Sequence, residues 1–241
     1  MLLLLALAAH GAGHGELLVW DVRFAGLVGG QAKAGVTDAP DGAYYVDAWL
    51  KNADWYSAIY TIDDHSRSTW TPEGGSIRYE TRFREGGFEQ DQDMRMSADA
   101  FSVWRHQKLK DGWREWTTPY DPHPYVEDPV TAIFALRGLE GEGPWSVPVF
   151  SGEATWPLEV TVHGREHMDD TPLGAVDVVI YSLQSRHRGE WEQRGRFLVY
   201  LTDDTRHIPV RFVIKSTIGA IRADLTTYTP PQDVSHEAPA P

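Results

Sequence analysis

The stretch that most constrains the fold is 197–228, FLVYLTDDTRHIPVRFVIKSTIGAIRADLTTY. Within 208–215, Val210, Phe212 and Ile214 share one face against Arg211 and Lys215. Farther on, Ile221, Ala223, Leu225 and Thr227 alternate with Arg222, Asp224 and Thr226. An apolar period of two is that of a half-buried strand and not of a helix. The apolar run 197–201 stops at Thr202-Asp203-Asp204, whose side chains favour turns by bonding nearby backbone amides, and Gly219 breaks the next run. The stretch is therefore predicted to be a three-stranded antiparallel meander. Asp203, Asp204, Pro209 and Gly219 are its structural turn residues.

The same period recurs upstream. Trp20, Val22 and Phe24 share a face opposite Asp21 and Arg23. Residues 43–50 and 55–62 read as a strand pair, ended by 63–66. Ile77, Tyr79, Thr81 and Phe83 alternate with Arg78, Glu80, Arg82 and Arg84; after Glu85-Gly86-Gly87, 88–96 alternates with a mostly acidic outward face. Opposite charges across the strands favour that hairpin. Further strands are predicted over 101–108, 145–150, 156–163 and 175–183. Residues 113–125, rich in Trp, Pro and Tyr but without a period, read as a loop, and the Gly-rich 10–16 as a flexible lead-in. Asp128-Pro129 has the form of a helix start, with Val130, Ile133, Phe134 and Arg137 at helical spacing and Gly138 placed to end it. These elements predict an all-β chain: an antiparallel, strongly curved sheet or incomplete β-barrel with one short α-helix. One domain over 17–228 is expected, followed by a disordered Pro-rich tail, 229–241.

Composition narrows the functions. The net charge of −13 argues against nucleic acid and anionic lipid surfaces, which are bound through clustered Lys and Arg. The absence of cysteine excludes disulfides, Cys-ligated zinc, thiol catalysis and a lipid-anchored N-terminal cysteine. Residues 1–9, MLLLLALAA, form a short apolar run in which Ala6-Leu7-Ala8 has the small-x-small form of a signal-peptidase site. The run is too short to span a bilayer, which takes about 20 apolar residues, and no later segment approaches that length. An exported, periplasmic protein that does not span the membrane is expected.

The order of elements also resembles a known family. Asp128-Pro129, Ala132, Leu136-Arg137, Pro148-Val149-Phe150, the run 160–166, Leu201-Thr202-Asp203-Asp204, Pro209-Val210, Ile218-Gly219 and Leu225 are similar to the bacterial envelope family called domain of unknown function 3108. "LTDDTRHIPVRF" and "IGAIRADLTTY" are the specific parts, and the resemblance extends over about 17–228. It implies an export signal, a mostly β fold and no assigned reaction, hence no catalytic residues to carry over. This chain departs from an ordinary member in a signal without basic residues and in its ten tryptophans.

Few residue constellations invite chemistry. His163-Gly-Arg-Glu166-His167 has the H-x-x-E-H form of inverted zinc proteases, which requires a helix. Here it follows an alternating strand, on which positions four apart lie about 13 Å apart, and a hairpin turn is the better reading. Asp63-Asp64 and Asp203-Asp204 sit where Asp commonly serves backbone amides, and Glu89, Asp91 and Asp93 fit the solvent face of a strand. No metal or other cofactor is expected. The aromatics offer more: Trp104, Trp113, Trp116 and Phe134 are candidates for the mouth of a ligand cavity. The leading reading is a non-enzymatic envelope protein binding an apolar or amphipathic ligand such as lipid, or a partner protein, on its curved sheet. The alternatives are an envelope glycan hydrolase using Asp203 or Asp204 as its acid, and a scaffold component of an envelope assembly.

Overall fold

The computed structural model describes residues 12–57, 60–97, 100–187, 190–191, 196–216 and 219–232. The proposed signal, 1–9, and the tail beyond residue 232 lie outside them. The strands in chain order are β1 (Leu17–Phe24), β2 (Leu27–Asp38), β3 (Tyr44–Asn52), β4 (Asp63–Thr71), β5 (Gly75–Glu85), β6 (Phe88–Ser97), β7 (Ala100–Leu109), β8 (Gly112–Pro119), β9 (Trp145–Phe150), β10 (Thr155–Met168), β11 (Val176–His187), β12 (Glu190–Trp191), β13 (Arg196–Thr202), β14 (Pro209–Ser216) and β15 (Gly219–Thr229). A single helical turn, α1 (Asp54–Ser57), and one short helix, α2 (Thr131–Leu136), complete the chain.

All strands but β12 form one antiparallel path, β8-β7-β6-β5-β4-β3-β2-β1-β15-β14-β13-β11-β10-β9, and β12 pairs with β11. The expected curved, incomplete barrel is what forms. β8 and β9 end the path without pairing to each other, and the sheet is not closed into a barrel. Single parallel bridges join Gly75 to Val126 and Glu127 to Val149, so two residues tie the start of β5 to β9. Ser76 N–H donates to the Val126 carbonyl at 2.8 Å and Phe150 N–H to the Glu127 carbonyl at 2.8 Å. Strands β6 to β8 extend past this seam as a flap.

Helix α2 lies against one face of the sheet, between its two limbs. Phe134 joins the cluster of Leu18, Trp20, Val36, Val46 and Trp70, while Leu136 joins Val160, Tyr181, Val199 and Leu201. A third cluster, with Met94, Phe101, Val103 and Phe150, packs the flap onto β9. Each such side chain, fully buried, contributes about 1.5–3 kcal/mol.

The β5–β6 hairpin forms as predicted, with Gly86 in the left-handed region at φ 56. Its register is less tidy than simple complementarity: Arg82 faces Asp91 and Arg84 faces Glu89, but Arg78 faces Arg95 and Glu80 faces Asp93. Diagonal contacts resolve the conflict, because Arg78 bonds both oxygens of Asp93 at 2.9 Å.

Several local expectations are corrected. The described residues of 55–62 form no strand: 54–57 make α1, and Asn52 accepts from Ile62 N–H at 2.8 Å and donates to the Tyr60 carbonyl. The following strand then takes in 63–66. Residues 113–119 are strand β8 and not loop. The zinc-protease-like motif lies within β10, beginning at a bulge at 162–164, and not in a turn. Residues 12–16 are tied down, for Val36 N–H donates to the Glu16 carbonyl at 2.9 Å. Among the described residues no helix is long and apolar enough to cross a membrane, a statement about helices alone.

Candidate functional site

The site is a consequence of small residues. Ala32 pairs with Leu50, and Ala34 with Ala48, so one face of β2 and β3 carries three alanines side by side. α2 crosses above them, held at both ends, and the missing side-chain volume leaves a pocket of about 310 Å³. Trp20, Leu50, Phe83, Ile133, Phe134 and Phe212 form most of its remaining wall. Trp20 is fixed by its indole N–H, which donates to the Pro209 carbonyl at 2.8 Å, and its ring meets Phe212 edge-on at 5.4 Å.

Two devices hold α2 above the pocket. At its start Asp128 Oδ1 accepts from Val130 N–H at 2.7 Å and Thr131 N–H at 3.0 Å, while Thr131 Oγ1 accepts from Asp128 N–H at 3.1 Å. This is a reciprocal capping box. Past its end Arg137 donates to both oxygens of Glu16, at 2.8 and 3.0 Å, in an ion pair of two buried side chains.

Beside the cap, Glu127 is buried at the seam. It accepts from the Tyr125 hydroxyl, from Trp70 Nε1–H at 3.4 Å and from the Ser76 hydroxyl at 3.3 Å. Burial pushes its carboxyl up to about 7, with the charge of Asp128 adding to the shift and the hydrogen bonds opposing it. Burial likewise raises Asp128, against hydrogen bonds from Thr131, Ser68 and Ser76. At the polar rim of the pocket stands Asp64. Partial burial, a hydrogen bond to Asp64 and the charge of that residue raise the Glu85 carboxyl above its ordinary value.

The four aromatics expected at a cavity mouth do not line one opening. Phe134 lines the pocket, 6.4 Å from Trp70. Trp104 lies on the opposite face of the sheet, where its indole N–H donates to Glu115 at 2.8 Å. Trp113 and Trp116 are exposed on β8, and the strand period places them on opposite faces. Pro209 opens β14 and lines the pocket, and Gly219, at φ 135, opens β15.

Asp203 and Asp204 lie in the turn after β13. Asp204 accepts from the backbone N–H groups of Arg206 and His207, at 3.0 and 3.2 Å, and from the Thr202 hydroxyl at 2.8 Å. Partial burial alone raises its carboxyl; the Arg206 and Thr202 hydrogen bonds prevail and hold it below the ordinary value. Asp203 meets Arg165 at 3.3 Å. His167, the last residue of the protease-like motif, bonds Asp177 at 2.7 Å. Among the described residues no group of three His, Asp or Glu is placed to hold a metal.

The sequence reading missed Ala32, Ala34 and Ala48, whose signal is small residues on one face of neighbouring strands. It also missed the Glu16–Arg137 pair, which joins positions 121 residues apart.

A crystal structure described as a β-barrel-like protein of domain of unknown function DUF1849, from Brucella abortus, superposes with a TM-score of 0.61. The match covers 92% of this chain and 100% of that one at 11% identity, a likeness of fold alone. No curated protein matches the sequence. The family model described as protein of unknown function (DUF3108) matches residues 19–226, and the chain belongs to that family.

Proposed function

We propose that this protein is an exported, non-enzymatic binder of an apolar or amphipathic ligand, which it holds between α2 and the curved sheet. The observation that carries this reading is the apolar pocket of about 310 Å³. That volume is at the lower end of the roughly 300–1,000 Å³ of small-molecule sites, suited to a single acyl chain or a small ring system and too small for a two-chain lipid. The apolar run at 1–9 supports export to a periplasm, and fractionation of cells expressing the tagged chain tests it. The lowered carboxyl of Asp204 is the reverse of what a glycosidase acid needs, which favours binding over hydrolysis.

The test is native mass spectrometry of the full chain purified from an envelope fraction, followed by solvent extraction. A discrete added mass that extracts as lipid, and is lost in Ala48→Leu with the fold intact by circular dichroism, is the expected result. A clean apo mass, together with no binding of palmitate by the apo protein, overturns the reading and favours a scaffold role.

A further inference from the structure

The face of the sheet opposite the pocket carries a second concavity. Strand β4 alternates, with Ser66 and Ser68 toward α2 and His65 and Arg67 away from it. On the far side β4 to β8 form a groove of about 960 Å³. Five arginines line it, Arg67, Arg78, Arg82, Arg84 and Arg95, against three carboxylates, Glu80, Asp91 and Asp93. A groove with an excess of positive charge stands out on a chain whose net charge is −13.

Ion pairing commits some of those cations and leaves others. Arg78 holds Asp93 at 2.9 Å, Arg84 reaches Asp91 at 2.6 Å and Arg67 holds Asp47 at 2.8 Å. The Arg82 side chain has no hydrogen bond or ion pair among the described residues, although it stands between His65 and Asp91 in register. Arg95 approaches Asp93 only at 3.7 Å, and both oxygens of that carboxylate already serve Arg78. The strand rise places the backbones of Arg82 and Arg95 about 13 Å apart along the sheet.

Beside Arg95 the groove is walled by Trp104, which faces Asp93 in register. Its ring begins a stacked row: His106 lies 6.1 Å away, and Trp113 a further 4.5 Å from His106. Flat aromatic faces suit the apolar faces of sugar rings. Guanidinium forks suit carboxylates and phosphates, and the carboxylates between them accept from hydroxyls. The geometry points to a binding site for an acidic saccharide chain, with its rings on Trp104 and its anionic groups on Arg82 and Arg95. The charge of the rest of the chain does not oppose this at contact range, since fields are screened beyond about 8 Å at physiological ionic strength.

The test is calorimetric titration of the full chain with hexagalacturonate and with its methyl ester, which keeps the sugar backbone and removes the charge. The acid form should bind, the ester about tenfold more weakly or not at all, and added salt should weaken the acid form. Arg82→Ala should lower affinity about five- to tenfold, and Trp104→Ala about three- to tenfold. Arg82→Lys should recover part of the loss, and Ala48→Leu, on the pocket side, should leave binding unchanged, so this site and the apolar pocket succeed or fail separately. The proposal is overturned by no binding of hexagalacturonate, by equal binding of the ester, by tighter binding of a single-stranded oligonucleotide, or by full affinity in both alanine variants. The ester comparison requires no variant to fold.

Discussion

The carboxylates of Glu16 and Glu127, near the two ends of α2, are equally buried and differently neutralised. Beyond the C-terminal end, Glu16, 1% exposed, meets Arg137 through both oxygens, and the Tyr228 hydroxyl also bonds it. Near the N-terminal end, Glu127 is 0% exposed and its donors are neutral, a phenol, an indole and a serine among them. Charge is met by charge at one end. At the other, burial is relieved by a proton, which is why the Glu127 carboxyl is pushed up to about 7. The difference follows from what each end joins. Glu16 and Arg137 clamp two distant parts of the chain, whereas Glu127 sits in a seam whose closure comes from backbone bridges to β5 and β9. One anchor should therefore respond to loss of its partner and the other to pH.

The largest effect is expected at the clamp. Arg137→Met leaves Glu16 as an uncompensated buried charge, a change that costs about 3–5 kcal/mol. Replacing both, with Glu16→Leu and Arg137→Met, removes the charge as well as its partner and should recover most of that loss. The remainder reflects the Arg206 carbonyl, which accepts from Arg137 Nε–H at 3.1 Å. Urea unfolding at one pH measures both. If the single and double variants are equally destabilised, charge is not what distinguishes this end of α2.

Next comes the pH response of the seam. The folded pKa of Glu127, about 7, lies above its ordinary value of 4.5, so the folded state binds the extra proton. Its contribution to stability is fully present below about 4.5 and is lost as pH rises through about 7. The integrated difference is about 3 kcal/mol. Glu127→Gln should flatten that segment of the stability curve, read as the difference between wild type and variant at pH 5 and pH 8. The clamp variants should keep the wild-type slope. A parallel pair of curves for wild type and Glu127→Gln would sink the assignment.

What the sequence revealed of this arrangement follows physical lines. β1, β5, β6, β14 and β15 were legible because apolar and polar residues alternate along them, although Ile214 and Ile221, expected on the packed face, are exposed and Val213, on the Arg211 face of β14, is buried. β8 was not, because it lies at the edge of the sheet with nearly every residue exposed, and Gly112-Trp-Arg-Glu-Trp-Thr-Thr-Pro119 carries no apolar alternation. Asp128 and Pro129 declared a helix start through local chemistry, and Phe134 declared itself by helical spacing. The pocket stayed hidden because it is made by what Ala32, Ala34 and Ala48 lack. Glu16 stayed hidden in a Gly-rich stretch because its partner is remote in sequence and no local pattern encodes a long-range pair.

Ser76 tests how the seam shares its few protons. Its hydroxyl lies 2.8 Å from Asp128 and 3.3 Å from Glu127, with the Thr131 hydroxyl 2.5 Å away, and it accepts from Asp128 N–H at 2.9 Å. One hydroxyl hydrogen cannot serve two carboxylates at once. Ser76→Ala should cost about 2 kcal/mol, because it leaves a buried amide and a buried carboxyl each short of a partner. Because a donor to carboxylates has gone, the loss measured by urea unfolding should be greater at pH 8 than at pH 5. An equal loss at both would mean that the hydroxyl serves the backbone alone.

The smallest expected effect lies in the turn beside the clamp. His207 Nδ1–H donates to the Arg137 carbonyl at 2.8 Å, and the Arg206 carbonyl accepts from the Arg137 guanidinium. Both residues are ordered by Asp204, which accepts from their backbone amides. Asp204 is held below its ordinary value of 3.8, so its contribution is present above that value and fades as pH falls through the lower folded one. With that side chain 37% exposed, solvent screening keeps the loss in Asp204→Ala to about 1 kcal/mol. The informative measurement is a double-mutant cycle with Arg137→Met. If the turn acts by holding the guanidinium against Glu16, Asp204→Ala should cost less once Arg137 is gone. If its cost is the same in both backgrounds, the turn stands alone and the clamp is the ion pair by itself.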